Sequence, residues 1–323
     1  MLCGLWTEHR RAEIPKAPPH SFLVLATLLW AGNFVVGGPL AEVLPPFGLN
    51  FLRWCVACAV LVPLAFLYEG TGFIRPALRM WRSLLAMAVT GVFLFNALVY
   101  LALTETTSIN AALINGTTPI LTLFVVTILG GGLPTGARLF GSGVCLAGVV
   151  WVVSRGSFET LASLSLNRGD LLMLFAALCW AFYTVLGGNV TREISPLAAT
   201  TVSAILALPF LALFGGYELL TKPVGDISAP VISGLLYIGI GASIVAFLSW
   251  NVGIKGVGAA KGAIFLNLIP VITAAIAVPV LGESLVFAQL AGGLLVFAGV
   301  TIVSRSGDRK TSENPPPAST PPE

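Results

Sequence analysis

Charge is what this chain lacks. Only 10% of its 323 residues are Asp, Glu, Lys or Arg, less than half the share usual in a soluble domain. Histidine is rarer still. His9 and His20 precede or edge the first apolar run, so no buried metal set can be assembled from them. HExxH and GxSxG are both missing, which argues against an intramembrane enzyme; no catalytic residue, metal or cofactor is expected. No pore-lining ring or filter motif marks a passive channel. Cysteine occurs five times, mostly inside apolar runs, where a thiol is a small apolar filler. Cys55 and Cys58 form a CxxC without a neighbouring His or a βαβ pattern, so neither redox chemistry nor a disulfide framework follows. The net charge of +3 is spread over connections, and nothing points to a nucleic-acid partner.

Apolar residues fill the space that charge leaves. They make up 56% of the chain and gather in charge-free stretches at 21–41, 83–104, 106–137, 139–154, 171–191, 194–217, 227–254, 262–282 and 284–304. Nearly all reach the ~20 residues that a helix needs to cross a bilayer. A further run at 54–68 is shorter, so its helix is expected to begin near Pro46 and to carry Arg53 inside it. The expected fold is an all-α membrane protein of ten transmembrane helices. The run at 21–41 is read as the first of these rather than as a cleavable signal, since 20 residues precede it and no small-residue cleavage site follows.

The ten runs are five, written twice. Trp30-Ala31 returns as Trp180-Ala181, Pro46 as Pro196, Tyr100 as Trp250, Pro119 as Pro270, and Gly148-Val149 as Gly299-Val300, about 150 residues apart. Five is odd, so the second copy enters the membrane from the other side. Inverted five-helix repeats are the architecture of secondary transporters, whose site lies between the halves near the midplane. The expected units are a tail at 1–19, a first repeat at 20–155, a linker at 156–168, a second repeat at 169–305 and a disordered Pro-rich tail at 306–323.

Loop charge supports the inversion. Glu42 stands where the second copy has Arg192, Glu105 where it has Lys255, and Arg138 matches the turn at Glu283. Arg75, Arg79 and Arg82 face a mixed Glu218, Lys222 and Asp226. With the N-terminus inside, thirteen of the 17 Lys and Arg fall on the cytoplasmic side. Both termini are therefore expected in the cytoplasm.

Polar residues inside apolar runs are costly, and they mark the candidate site. Trp30, Asn33, Asn96, Tyr100, Asn115, Thr118, Trp180, Tyr183, Trp250, Asn251 and Asn267 should face the bundle interior, as pocket lining or as bridges between helices. Pro119 and Pro270 lie within spans four and nine and are expected to act as hinges, each freeing a carbonyl. Asn115 lies four residues before Pro119, and Asn267 three before Pro270. Arg53, about 10 Å along the helix from Pro46, either snorkels to the nearby interface or acts as a gating or anion-attracting group. All 14 Asp and Glu sit in tails, loops or span edges, which leaves no carboxylate relay of the kind proton-coupled carriers use. The GxxxG at Gly258–Gly262 and the matched glycines Gly141, Gly143 and Gly148 against Gly292, Gly293 and Gly299 serve close packing within the chain or a homodimer contact.

In this order, and duplicated, the motifs resemble the ten-span EamA-type branch of the drug/metabolite transporter superfamily. The first copy supplies Leu29-Trp30-Ala31, Arg53, Tyr100 with Ala102 and Leu103, Pro119, Gly141 and Gly148. The second supplies Gly169-Asp170, Trp180-Ala181, Gly258 with Lys261, Leu268-Ile269-Pro270, Leu281-Gly282-Glu283, Gln289 with Gly292, and Gly299-Val300. The resemblance spans residues 20–305 and departs at Gly130-Gly131-Gly132, where the family usually has Leu-Gly-Glu. It implies an inner-membrane permease or exporter of amino acids, metabolites or toxic compounds, working by alternating access. Spans one, three, four, six, eight and nine would surround the cavity, with five and ten peripheral. A neutral or zwitterionic small molecule is the expected substrate, because the candidate pocket is rich in amides and aromatics. A phosphorylated or nucleotide-sugar substrate, the alternative from sister branches, should demand several buried cations.

Overall fold

With no water in the bilayer core to serve exposed peptide groups, each apolar run closes its backbone bonds internally as a helix. The computed structural model describes residues 18–130, 133, 135–157, 159 and 167–312, and helices are the only regular structure among them. Nine are long and apolar enough to span: one (Pro19–Val43), two (Pro46–Glu69), three (Trp81–Leu103), four (Ser108–Ile128), five (Gly136–Val153), six (Arg168–Glu193), seven (Pro196–Thr221), eight (Ala229–Val257) and nine (Ala259–Leu281). Span ten is helix Phe287–Ser312, apolar over Phe287–Val303. The tails before Pro18 and after Ser312, most of the 156–168 linker, and Gly131-Gly132 lie outside the described residues.

Local chemistry sets the helix ends. Pro19, Pro46 and Pro196 open spans at positions where a missing N–H costs nothing. Thr107, Thr135, Asn167 and Ser195 cap others with their side chains. Gly258 and Gly282 turn the chain at φ of 86° and 69°, a region that penalises a Cβ.

The contacts obey the repeat. Span one packs on eight and nine, as span six packs on three and four; span two packs on eight, as seven packs on three. Spans two and seven, four and nine, and five and ten pair with their own counterparts. This is the contact pattern of a pseudo-twofold axis between two inverted five-helix units.

Two features correct the sequence reading, and a third bears out its packing alternative. Pro119 and Pro270 do not kink continuous helices. Span four is broken at Gly116-Thr117 between Ser108–Asn115 and Thr118–Ile128, and Pro119 sits in the first turn of its second piece. Span nine runs Ala259–Ala263, then a 3₁₀ turn Ile264–Asn267, then Leu268–Leu281 with Pro270 again in the first turn. Both prolines begin half-helices, where their N–H would be unpaired anyway. The GxxxG at Gly258–Gly262 is not a packing stripe, since Gly258 is the turn between spans eight and nine and no atom lies within 4 Å of a Cβ built there. Gly141 and Gly148 meet Gly299 and Gly292 within the chain: a Cβ on Gly148 would fall 2.6 Å from the Gly292 carbonyl oxygen. These glycines let spans five and ten touch backbone to backbone.

Candidate functional site

The two repeated tryptophans meet at the centre. Trp30 and Trp180 stand edge to face with ring centroids 4.9 Å apart, and Trp250 lies 5.4 Å from Trp30. Phe247 packs against Trp30, Trp54, Trp180 and Tyr183, joining them into one aromatic cluster. Trp54, Trp180 and Trp250 are buried with unpartnered indole N–H groups, whereas Trp30 donates to the Ala242 carbonyl at 3.0 Å.

That carbonyl lies in a stretch of span eight that is π-helical, Tyr237–Val245. Span three is π-helical over the equivalent Ala88–Phe95. The wider turn leaves carbonyls without their usual i+4 donors, and side chains collect on them. Asn96 donates to Gly91 and Val92, Asn50 to Val92 and Phe93, and Ser243 to Ile238. Nothing in the hydropathy pattern announces these segments.

Arg53 bridges the two π segments. Its guanidinium donates from Nε to Ser243 at 2.7 Å, and from Nη1 to Asn96 at 2.9 Å, Asn33 at 3.3 Å and the Tyr100 hydroxyl. Tyr100 in turn donates to Asn33. Arg53 is 0% exposed, so the snorkelling reading is wrong: the side chain turns inward to four polar side chains instead of following its helix to the interface. A second hub is made in the other copy, where Asn251 donates to both Tyr183 and Thr200 at 2.9 Å.

Beside the Arg53 hub lies a small cavity of about 10 Å³, room for roughly one water. Trp30, Asn33, Asn96, Asn115 and Trp180 line it, with Phe95, Leu266 and Ile269. Five of the eleven substrate-binding candidates thus share one cavity. Tyr100 belongs to the Arg53 hub, Tyr183 and Asn251 to the second, and Trp250 to the aromatic cluster. Thr118 folds back on Asn115, donating to its carbonyl at 2.6 Å across the break in span four.

Asn267 goes elsewhere. It lines an apolar groove of about 710 Å³ between spans four, nine and ten, together with Pro270. Counted from the prolines, Asn267 matches Gly116, and Leu266 matches Asn115. One residue is about 100° around a helix, so the two amides point from different faces. Only Asn115 reaches the centre.

Polar pockets flank the centre at both ends of the bundle. One of about 900 Å³ involves Thr106, Asn110, Arg155 and Glu283, on the face where span three ends and span four begins. The other, about 440 Å³, involves Asn189, Arg192, Lys255 and Lys261 on the face where span one begins. Carboxylates that the sequence reading left at span edges hold helix ends from the other repeat. Glu283 accepts from Ser108 and Ile109 N–H at 2.9 and 3.1 Å, opening span four; Glu218 accepts from Phe47 and Gly48 at 2.7 and 3.2 Å, opening span two. Glu69 bonds Ser195, the cap of span seven. Asp170 accepts from Thr106 and Asn110 at 2.7 Å. Anions at helix N-termini are favourable, which explains their place.

The comparisons with known proteins agree with this architecture. The model of the EamA-like transporter family matches residues 18–154 and again 167–305. The transporter YyaM of Bacillus subtilis is 33% identical over 78% of this chain and 82% of its own length. A transporter of Archaeoglobus fulgidus is 30% identical, covering 88% of this chain and 96% of its own. A protein of Streptantibioticus cattleyicolor, named a probable terminal-alkyne amino-acid exporter, is 24% identical over 91% of this chain and 96% of its own. A solved crystal structure superposes with a TM-score of 0.66 at 22% identity, over 90% of this chain and 98% of that one, a likeness of fold.

Proposed function

Because the chain belongs to the EamA-like transporter family, we propose that it is a multi-pass permease of the cytoplasmic membrane, carrying a small neutral or zwitterionic metabolite such as an amino acid by alternating access. Both termini lie in the cytoplasm in this reading, as the loop charges favour. The observation that carries it is the cavity between Trp30 and Trp180, lined by Asn33, Asn96 and Asn115, with Asn33 and Asn96 shared with the Arg53 hub. A relative named as an amino-acid exporter supports the substrate class.

The cycle follows from the hubs. Parting of Arg53, Asn33, Asn96 and Tyr100 opens the cavity toward the Thr106–Glu283 pocket, while Tyr183, Asn251 and Thr200 stay joined. The reverse exchange opens it toward Arg192 and Lys255. The half-helices that begin near Pro119 and Pro270 are the hinged elements, since a broken span can move one piece without unwinding the other. A cavity this small must widen to admit cargo. A phosphorylated cargo is disfavoured, because among the described residues Arg53 is the one buried cation.

Reconstituted protein loaded with leucine should show saturable counterflow of labelled leucine or of a competing amino acid. Asn115→Leu should cut that flux at least tenfold with membrane expression intact. Flux unaltered in the variant would remove the cavity from the transport path, and flux without trans-stimulation would replace the carrier with a channel.

A further inference from the structure

We infer that Arg53 is the anchor for a carboxylate on the transported molecule. The inference rests on the cavity reading above and adds a chemical requirement to it. A fully buried cation is expensive unless an anion pairs with it. Arg53 has none: among the described residues the one ion pair is Lys222 with Glu218, and the groups around the guanidinium are Asn33, Asn96, Tyr100 and Ser243, all neutral.

The unfilled valence has a direction. Nη1 is crowded by three acceptors and Nε has Ser243, but Nη2 is buried without a partner. Nη1 and Nη2 together form one edge of the planar fork, the edge that takes a carboxylate with two parallel bonds. Asn33 and Asn96 are shared between the fork and the cavity wall, so they separate Arg53 from the cavity by one layer of side chain. When that hub parts, a carboxylate in the cavity can replace neutral amide oxygens on the fork with charged ones. The indole N–H of Trp180, on the cavity wall and without a partner, adds a further donor for an acceptor-rich group.

The fold itself does not ask for this charge. Counting 150 residues on, the position equivalent to Arg53 holds Ser203, which is equally buried and bonds to carbonyls of its own helix at Ala199 and Thr200. One repeat packs here with a hydroxyl, and the other carries a cation with an open donor. The inner ends of the cavity offer no carboxylate for an amine, only aromatic faces and amides. A carboxylate is therefore required of the cargo and an ammonium is optional.

The test uses paired probes on full-length protein in proteoliposomes: leucine against leucinamide, and phenylalanine against phenylalaninamide. In the wild type, each acid should compete roughly 10- to 100-fold better than its amide, the loss expected when a charged hydrogen bond is missing. In Arg53→Gln the acid-over-amide ratio should fall to about one, whatever level of transport remains; Arg53→Lys should recover part of the preference. An acid and amide carried equally well by wild-type protein would overturn the anchor and leave the permease standing, with no variant needing to fold. Wild-type protein that carries neither acids nor amides would overturn the permease reading and the anchor with it.

Discussion

The two polar hubs occupy mirrored places in an inverted repeat, yet they are built differently. The first joins Arg53 to Asn33, Asn96 and Tyr100 of its own copy and to Ser243 of the other. The second joins Tyr183, Asn251 and Thr200, all from one copy and all neutral. One hub is charged and ties the halves together; the other is uncharged and internal to a half. In the proposed cycle, a symmetric backbone therefore carries an asymmetric gate. The same bias recurs at the helix ends. Glu283, Glu218 and Asp170 all latch the face of the first hub, while Glu69 latches the other. Glu283 opens span four with two hydrogen bonds, whereas span nine starts at Gly258 with no side-chain cap. Stronger ties on one face favour resting states closed there.

Substitution at mirrored sites can break this comparison. The largest effect is expected from Arg53→Ala against Ser203→Ala. Removing the guanidinium leaves its acceptors buried without donors and should abolish leucine counterflow and lower thermal stability by about 3 kcal/mol. Ser203 loses a bond within its own helix, so counterflow should stay within about twofold. Equal losses at both positions would mean that the hubs are interchangeable.

Tyr183→Phe is the intermediate case. It removes the hydroxyl that accepts from Asn251, a buried bond worth about 1 kcal/mol, and should shift the population toward opening on the Arg192 side. Faster labelling of an Asn189→Cys reporter by a membrane-impermeant maleimide would register the shift; unchanged labelling would show that the second hub does not gate. Glu283→Gln should act in the opposite sense and least of all. It keeps the shape but removes the charge at the start of span four, about 0.5 kcal/mol, so labelling at a Thr104→Cys reporter should rise modestly. A large rise would make that latch the principal gate.

How much of this was legible depended on which interaction decided each feature. Ten spans and their inversion could be read directly, since hydropathy reports what leaves water and an odd count reverses the second copy. Burial of Trp30, Asn33, Asn96, Asn115 and Trp180 was legible for the same reason: polar groups in apolar runs turn away from lipid. Arg53 was ambiguous, because snorkelling and burial both satisfy a single helix, and only the neighbouring Asn33, Asn96 and Ser243 select between them. The π segments were invisible, as one extra residue per turn leaves no compositional mark. Asn115 and Asn267 looked equivalent until the prolines set the register one residue apart.

By itself, then, the sequence determined the membrane, the ten helices, the inverted halves and the residues that must hide from lipid, because each follows from transfer of single groups between water and hydrocarbon. The tertiary structure alone decided which hidden residues meet. Pairing depends on helix rotation, on the breaks near Pro119 and Pro270 and on the two π segments, and these are settled between helices rather than along one. A lone arginine among amides became a candidate site only when spans one, two, three and eight closed around it.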